Sequence, residues 1–424
     1  MKTIKYLFLL FFFNALSQST WQTLSNISPN INNQRFDDVF FIDENTGWAA
    51  NGYYASIHKT IDGGKTWSEQ LNQNMLGGNY YFRNIEFLNK DIGFLGTLNG
   101  KFFKTIDGGT NWTEATNISP NPPAICGLDT VGTSTIYGCG AYFSPAHIIK
   151  STDSGLTWQF IDMSSYANAL VEIHFLTEKI GFVSGRNNSG ATVLKTIDGG
   201  NTWTEIFNSN IIGEYVWKLQ IFENDTDIIF GSISSISPNI GKLIKTTDGG
   251  INWDSFDAPE IDIQAIGFIS ENHGWMGGHT TGFYETIDGG QNWTNLNIGN
   301  NLNRIFIINS NLAYASGTSI YKFTDEALGN NNTKEQSRKK LNIKFKSNPV
   351  ESTLNFSIEF LSSDNILIEL YNTQGQYIKQ LSRDIITSPI TKKYKFNINN
   401  LSSGPYIINF HNNTGRESIK FIKN

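Results

Sequence analysis

Thr196-Ile-Asp-Gly-Gly-Asn-Thr-Trp203 is one of six near-copies of a single phrase in this chain. The others are Thr60-Ile-Asp-Gly-Gly-Lys-Thr-Trp67, Thr105-Ile-Asp-Gly-Gly-Thr-Asn-Trp112, Ser151-Thr-Asp-Ser-Gly-Leu-Thr-Trp158, Thr246-Thr-Asp-Gly-Gly-Ile-Asn-Trp253 and Thr286-Ile-Asp-Gly-Gly-Gln-Asn-Trp293. Their aspartates, Asp62, Asp107, Asp153, Asp198, Asp248 and Asp288, stand 45, 46, 45, 50 and 40 residues apart, the length of one four-stranded propeller blade. A decayed copy, Tyr321-Lys-Phe-Thr-Asp325, follows 37 residues later. The phrase has the chemistry of a tight turn. Asp accepts backbone N–H groups, Gly adopts φ > 0, and Trp offers a large ring to a neighbouring blade. The six aspartates are therefore read as turn supports rather than catalytic pairs.

Upstream of each phrase lie an apolar strand, a polar turn and a strand opening on Gly plus an aromatic. Examples are Ile85-Glu-Phe-Leu88 before Gly93-Phe-Leu-Gly96, and Ala265-Ile-Gly-Phe268 before Gly274-Trp-Met-Gly277. A third strand such as Thr192-Val-Leu-Lys195 leads into the turn, and a fourth begins at the Trp. The seventh unit lacks its own fourth strand. Near the N-terminus, Ser19-Thr-Trp-Gln-Thr-Leu24 matches Asn201-Thr-Trp-Thr-Glu-Ile206, so an N-terminal strand is expected to complete the last blade and hide its edge. The expectation is seven blades over residues 18–325.

The phrases resemble the BNR or Asp-box repeats of sialidases and other secreted glycosidases. The whole blade pattern resembles the photosystem II assembly factor-like propellers of exported bacterial proteins. In that family the boxes sit at the blade periphery and are structural. A sialidase reading finds little here. That class clamps its substrate carboxylate with three arginines, but this propeller has only Arg35, Arg83, Arg186 and Arg304, and Arg35 is followed by Phe36-Asp37-Asp38 rather than Ile-Pro.

Residues 326–341 are polar and aperiodic, the pattern of a linker. Beyond them alternating segments such as Leu354-Asn-Phe-Ser-Ile358 and Tyr406-Ile-Ile-Asn-Phe410 predict a small antiparallel β-sandwich over 342–424. The fold class is thus all-β, a seven-bladed β-propeller followed by that sandwich. The order Asn348-Pro349-Val350, Leu370-Tyr371-Asn372 with Gly375, Leu401-Ser-Ser-Gly404 with Tyr406, and Lys420-Phe-Ile-Lys423 resembles the type A C-terminal sorting domain of the type IX secretion system of Bacteroidetes. The resemblance implies engagement of that machinery through 342–424, and release or attachment at the outer cell surface by way of the periplasm. The alternative for this tail is a small carbohydrate-binding or adhesion sandwich.

The N-terminus agrees with export. Lys2 and Lys5 precede an apolar run from Tyr6 to Phe13, with Ala15 and Ser17 after it. This is the layout of a signal peptide over residues 1–17, cleaved before Gln18, a retained anchor being the alternative. No integral membrane segment is expected after cleavage. The 424-residue chain has a formal net charge of −6, but the two parts differ. Residues 18–325 hold 16 Lys and Arg against 30 Asp and Glu, while 326–424 hold 14 against 8. An acidic body argues against nucleic acid, whose binding rests on neutralised phosphates.

Candidate sites are few. Cys126 and Cys139 flank the turn-like Val131-Gly-Thr-Ser134, so a hairpin would set them opposite one another, as a disulfide or as two buried thiols. The six histidines are scattered without ligand spacing, so no metal and no cofactor is expected. Asp37, Asp38, Glu86, Glu172 and Asp262 lie on or beside first strands, which line a propeller's channel, and are the only candidates for glycoside hydrolysis. Loops gathering on one face carry Tyr53, Tyr54, Tyr80, Tyr81, Tyr142, Phe143, Tyr166, Tyr215 and Trp217. Clustered aromatics there suit a protein or a glycan, the alternative being that several pack between blades. The expected function is non-catalytic binding of such a partner after export, with a polysaccharide-acting hydrolase as the alternative.

Overall fold

The computed structural model describes residues 19–24, 26–27, 34–222, 225–325, 342–346, 349–360, 362–372, 377–412 and 415–424. The expected signal peptide, the whole linker, Asn348 and Gly375 lie outside the described residues. The chain divides into two compact units, Met1–Leu328 and Gly329–Asn424.

The first unit contains seven four-stranded antiparallel sheets. Six blades are continuous in sequence. Their first strands are Phe36–Phe41, Phe82–Phe87, Gly127–Val131, Ala169–Phe175, Tyr215–Phe222 and Ile263–Phe268. Blade 7 starts at Arg304–Asn309, and its outer strand is the N-terminal Thr20–Thr23. That strand pairs Thr20 with Thr324 and Trp21 with Phe323, as the match to the box endings predicts. Each first strand packs against the next, and Arg304–Asn309 packs against Phe36–Phe41, so the ring is closed.

Three repeated contacts explain the blade sequence. The Gly that opens a second strand leaves room for the Phe ending its own first strand. A Cβ on Gly93 would sit 2.4 Å from the Phe87 ring, and one on Gly274 2.3 Å from Phe268. The aromatic at the next position stacks on the corresponding Phe of the following blade, as in Trp48 after Gly47 on Phe87 at 3.6 Å, and Tyr314 after Ala313 on Phe41 at 3.6 Å across the closure. Each such pair contributes about 0.5–1.5 kcal/mol beyond its buried area.

The third contact is a lysine just before the box. Lys59 donates to the Gly108 carbonyl in the next blade's box at 2.9 Å, Lys150 to Gly199 at 2.8 Å, and Lys322 to Gly63 of blade 1 at 3.0 Å. Blade 6 has Glu285 at this position, and the blade after it has no box. Glu285 instead accepts from Trp275 Nε1 at 3.1 Å and from His273 at 2.9 Å.

In the boxes, the Asp carboxylate is enclosed by its own turn. Asp62 accepts from Thr60 Oγ1 at 2.8 Å, Thr66 N at 2.9 Å and Thr66 Oγ1 at 2.6 Å, while Gly63 and Gly64 have φ of 69° and 84°. The same bonds hold Asp198, Asp248 and Asp288 down to about 2, led by Thr202, Asn252 and Asn292 respectively.

The second unit has a three-stranded and a four-stranded antiparallel sheet that share one core. Phe356 of one meets Phe410 of the other edge-to-face at 5.3 Å. Alternate residues Leu354, Phe356, Ile358 and Phe360 are buried, the period-2 signature of a sandwich strand.

Candidate functional site

The first strands share an irregularity near their starts. Pairing with the second strand slips by one residue at Asp37, Arg83, Val171, Trp217 and Gln264 in blades 1, 2, 4, 5 and 6. In blade 3 both Cys126 and Gly127 face Cys139, and in blade 7 both Asn303 and Arg304 face Ser316. A bulge re-aims the extra side chain. Seven bulges at one height therefore present seven side chains at one end of the channel, forming a collar.

Its polar half centres on Asp37, which is fully buried. Arg83 Nη1 reaches Asp37 Oδ1 at 2.9 Å, Arg35 Nη2 reaches it at 3.1 Å, and the Tyr81 hydroxyl donates to it at 3.4 Å. Burial and then the Asp37 charge push the Tyr81 phenol up to about 12. Arg35 also donates to Gln264 at 2.8 Å and Asn301 at 3.1 Å, and lies 3.3 Å from His279. Burial, then the Arg35 charge, lowers the His279 pKa, so that ring is neutral at physiological pH.

The aromatic half starts where the Arg83 guanidinium lies over Trp217 at 5.6 Å. Trp217 meets Tyr215 at 5.3 Å, Arg186 lies over Tyr215 at 4.5 Å, and the Tyr215 hydroxyl donates to the Tyr142 carbonyl at 2.7 Å. Asp37 Oδ2, Arg83 Nη2 and Trp217 Nε1 are buried with no hydrogen-bond partner among the described residues. Every blade contributes to this collar.

The cysteines follow from the same geometry. Cys126, as the bulged residue, packs with Ala124, Ala141 and Val171, whereas Cys139 packs with Tyr137 and Ile148. Both thiols are free and buried, and burial lifts Cys126 to about 11 and Cys139 well above its ordinary value. The bulge sets both residues against Cys139: Cys126 N donates to the Cys139 carbonyl at 2.7 Å, while the ladder register pairs Gly127 with Cys139.

Of the nine aromatic candidates, Tyr81, Tyr142, Tyr215 and Trp217 come together in the collar. Tyr53 meets Tyr54, and Tyr142 meets Phe143, as edge-to-face pairs at 5.2 and 4.9 Å. Tyr80 turns onto Phe103, and Tyr166 packs beside the cluster that holds Met163. Sequence reasoning missed the collar arginines and an aliphatic patch beside them. Ile211 and Ile212 precede Tyr215, while Ile236 and Ile240 lie in the next loop of blade 5 and Ile261 in the loop after it. All five are exposed, Ile212 by 73%. Ser235 N donates to the Ile261 carbonyl at 2.9 Å, and a Cβ on Gly213 would lie 3.3 Å from Ile236. The adjacent pair Ile211-Ile212 in a loop was the available signal.

Below the collar the channel carboxylates are mostly matched by cations. Arg304 lies 3.1 Å from Asp38, which also accepts from Ile85 N in the next blade at 2.9 Å. Lys218 lies 2.5 Å from Glu172. Asp262 stands apart, exposed, and accepts from the Ser234 hydroxyl. Among the described residues, Glu86 faces no cation within ion-pair distance.

Two family models match the chain: the photosynthesis system II assembly factor YCF48 over residues 13–147, and the secretion system C-terminal sorting domain over 347–424. No curated protein matches at a significant level. Among solved structures, YCF48 from Cyanidioschyzon merolae is similar at 19% identity and TM-score 0.57, over 72% of this chain and 99% of that one. A structure of YCF48 bound to D1 peptide is similar at 17% identity and TM-score 0.55, over 72% and 96%. PorZ, a bacterial surface component of the type IX secretion system of Porphyromonas gingivalis, is similar at 13% identity and TM-score 0.53, over 94% of this chain and 60% of that one. No helix among the described residues is long and apolar enough to cross a membrane. The sorting domain marks the chain for export through the type IX system, to the cell surface or beyond it. The chain folds as a seven-bladed propeller whose first part matches the photosystem II assembly factor model, followed by a domain that matches the secretion system C-terminal sorting domain.

Proposed function

We propose that the exported propeller is a non-catalytic binding protein that holds a polypeptide partner against its collar face. The observation that carries this reading is the patch of exposed isoleucines running into Tyr215, Trp217 and Arg186. Sugars stack on aromatic faces, but an aliphatic patch beside Tyr, Trp and Arg has the composition of a protein-binding hot spot. A peptide-bound structure of a similar propeller supports the same reading. The hydrolase alternative draws less support, because Asp37, Asp38 and Glu172 each face a cation. The 342–424 domain serves export.

The test places a photo-crosslinker at Ile212 or at Ile106, which is equally exposed but lies in a box turn. Crosslinking is done on cells, and a glycan array is probed in parallel. The reading expects one protein adduct at 212, absent at 106, and lost when Trp217→Ala and Ile236→Asp are combined. Selective binding to one glycan, with no adduct specific to 212, refutes it.

A further inference from the structure

We propose that the channel opening on the opposite face binds an organic amine, its ammonium group seated beside Glu86 and Asp129 and its methylene chain against the apolar walls. This site is independent of the collar. It is a cavity of about 1020 Å³, whose lining includes Leu128, Ile173, Leu219, Ile266, Ile305 and Phe306 around a polar floor. That volume suits a small ligand.

The floor carries Glu86, Asp129 and Glu172 with Arg304 and Lys218, and Asp38 stands behind it against Arg304. The two cations are taken by Asp38 at 3.1 Å and by Glu172 at 2.5 Å. Asp129 Oδ2 accepts from Phe175 N at 2.5 Å, with His174 3.8 Å away. Glu86 is 5% exposed, and its one polar neighbour is the Thr130 hydroxyl at 3.4 Å from Oε1. Its Oε2 has no hydrogen-bond partner among the described residues, and the residue lines the cavity. A buried carboxylate oxygen left without a donor is costly, and a Gln or Leu would avoid the cost. A ligand that supplies donors and positive charge accounts for it. An anion would meet the surplus of carboxylates. Among the described residues no group of three His, Cys, Asp or Glu is placed to hold a metal. An ammonium needs only acceptors for its three N–H groups.

Burial pushes the Glu86 carboxyl well upward. Asp129, Asp38 and Glu172 push it further, and Arg304 opposes them. An arriving ammonium opposes that upward push and favours the carboxylate.

Alkylammonium could come from a free diamine or from a lysine side chain of a partner. Calorimetric titration of the full chain with cadaverine, Nα-acetyl-lysine methylamide and 1-pentanol separates these. Expected is saturable binding of an amine but not of pentanol. Glu86→Gln should weaken binding about 10–100-fold, the loss of one charge-assisted bond. Asp129→Asn serves the same purpose should Glu86→Gln not fold. Tighter binding of cadaverine assigns a free amine, and tighter binding of the lysine amide a partner's side chain. Equal affinity in the variants, equal binding of pentanol, or no saturation at about millimolar amine overturns the proposal.

Discussion

Replacing Trp21 with Ala tests how the ring is held shut. The Trp21 ring is 3% exposed, stacks on Phe283 at 4.1 Å, and meets Trp275 and Phe323 at 5.5 Å each. Removing a buried Trp costs about 3–5 kcal/mol through lost transfer energy and the cavity left behind. All of that loss falls on a strand of four residues that is otherwise held by backbone pairing to Ile320–Thr324. Its release would expose the edge of blade 7 while blades 1 to 6 keep their pairing. The assay is denaturant unfolding combined with hydrogen exchange. Exchange should rise first at the amides of Ile320–Thr324. Trp67→Ala, on the outer side of blade 1, should disturb only its own neighbourhood, because its strand is continuous with its blade. A loss below about 1 kcal/mol for Trp21→Ala, with exchange at Ile320–Thr324 unchanged, would refute the argument that this strand closes the ring.

Two further outcomes follow from the same contacts. Glu285→Lys installs the lysine found in the six other blades, yet should destabilise by about 1–3 kcal/mol in thermal or denaturant unfolding, since Trp275 Nε1 loses its acceptor and blade 7 offers no box carbonyl to the new cation. Acid should unfold the propeller through its boxes. Folding lowers Asp198, Asp248 and Asp288 from 3.8 to about 2, so their contribution is complete above about pH 4 and is lost between about pH 4 and 2, as circular dichroism against pH would report.

The blade count and the N-terminal closing strand were legible because each rests on local chemistry repeated along the chain, and the export tail was legible through its resemblance to a known sorting domain. A Thr-x-Asp-Gly-Gly turn bonds to itself, and Gly before an aromatic answers a contact one strand away. The collar was not legible in that way. Asp37 was noticed as a channel carboxylate, but Arg83 and Arg35 hold its Oδ1, and Arg83 lies in another blade. What brings them together is a bulge, which shifts register by one residue and leaves no mark in composition. Cys126 and Cys139 show the same effect: the hairpin opposes them, as its midpoint predicts, but the bulge sets Gly127 against Cys139 as well, and the two thiols pack in different clusters. Tyr80 and Tyr166 look like binding residues in sequence because a loop Tyr reads alike whether it faces solvent or a neighbouring blade.

The lysine contacts between blades have a direction: Lys59, Lys150, Lys195 and Lys322 reach forward into the box that follows, and Lys245 reaches forward to Glu271 in the next blade. A blade copied or lost among the first five would still find a box ahead of its lysine and a lysine behind its box. Blade 6, with Glu285, tolerates only a boxless neighbour, and blade 7 must be followed by blade 1, whose Gly63 takes Lys322. Duplication and deletion are therefore permitted in one arc of the circle, while the seam is inherited whole, as blades 6 and 7 together with residues 20–23.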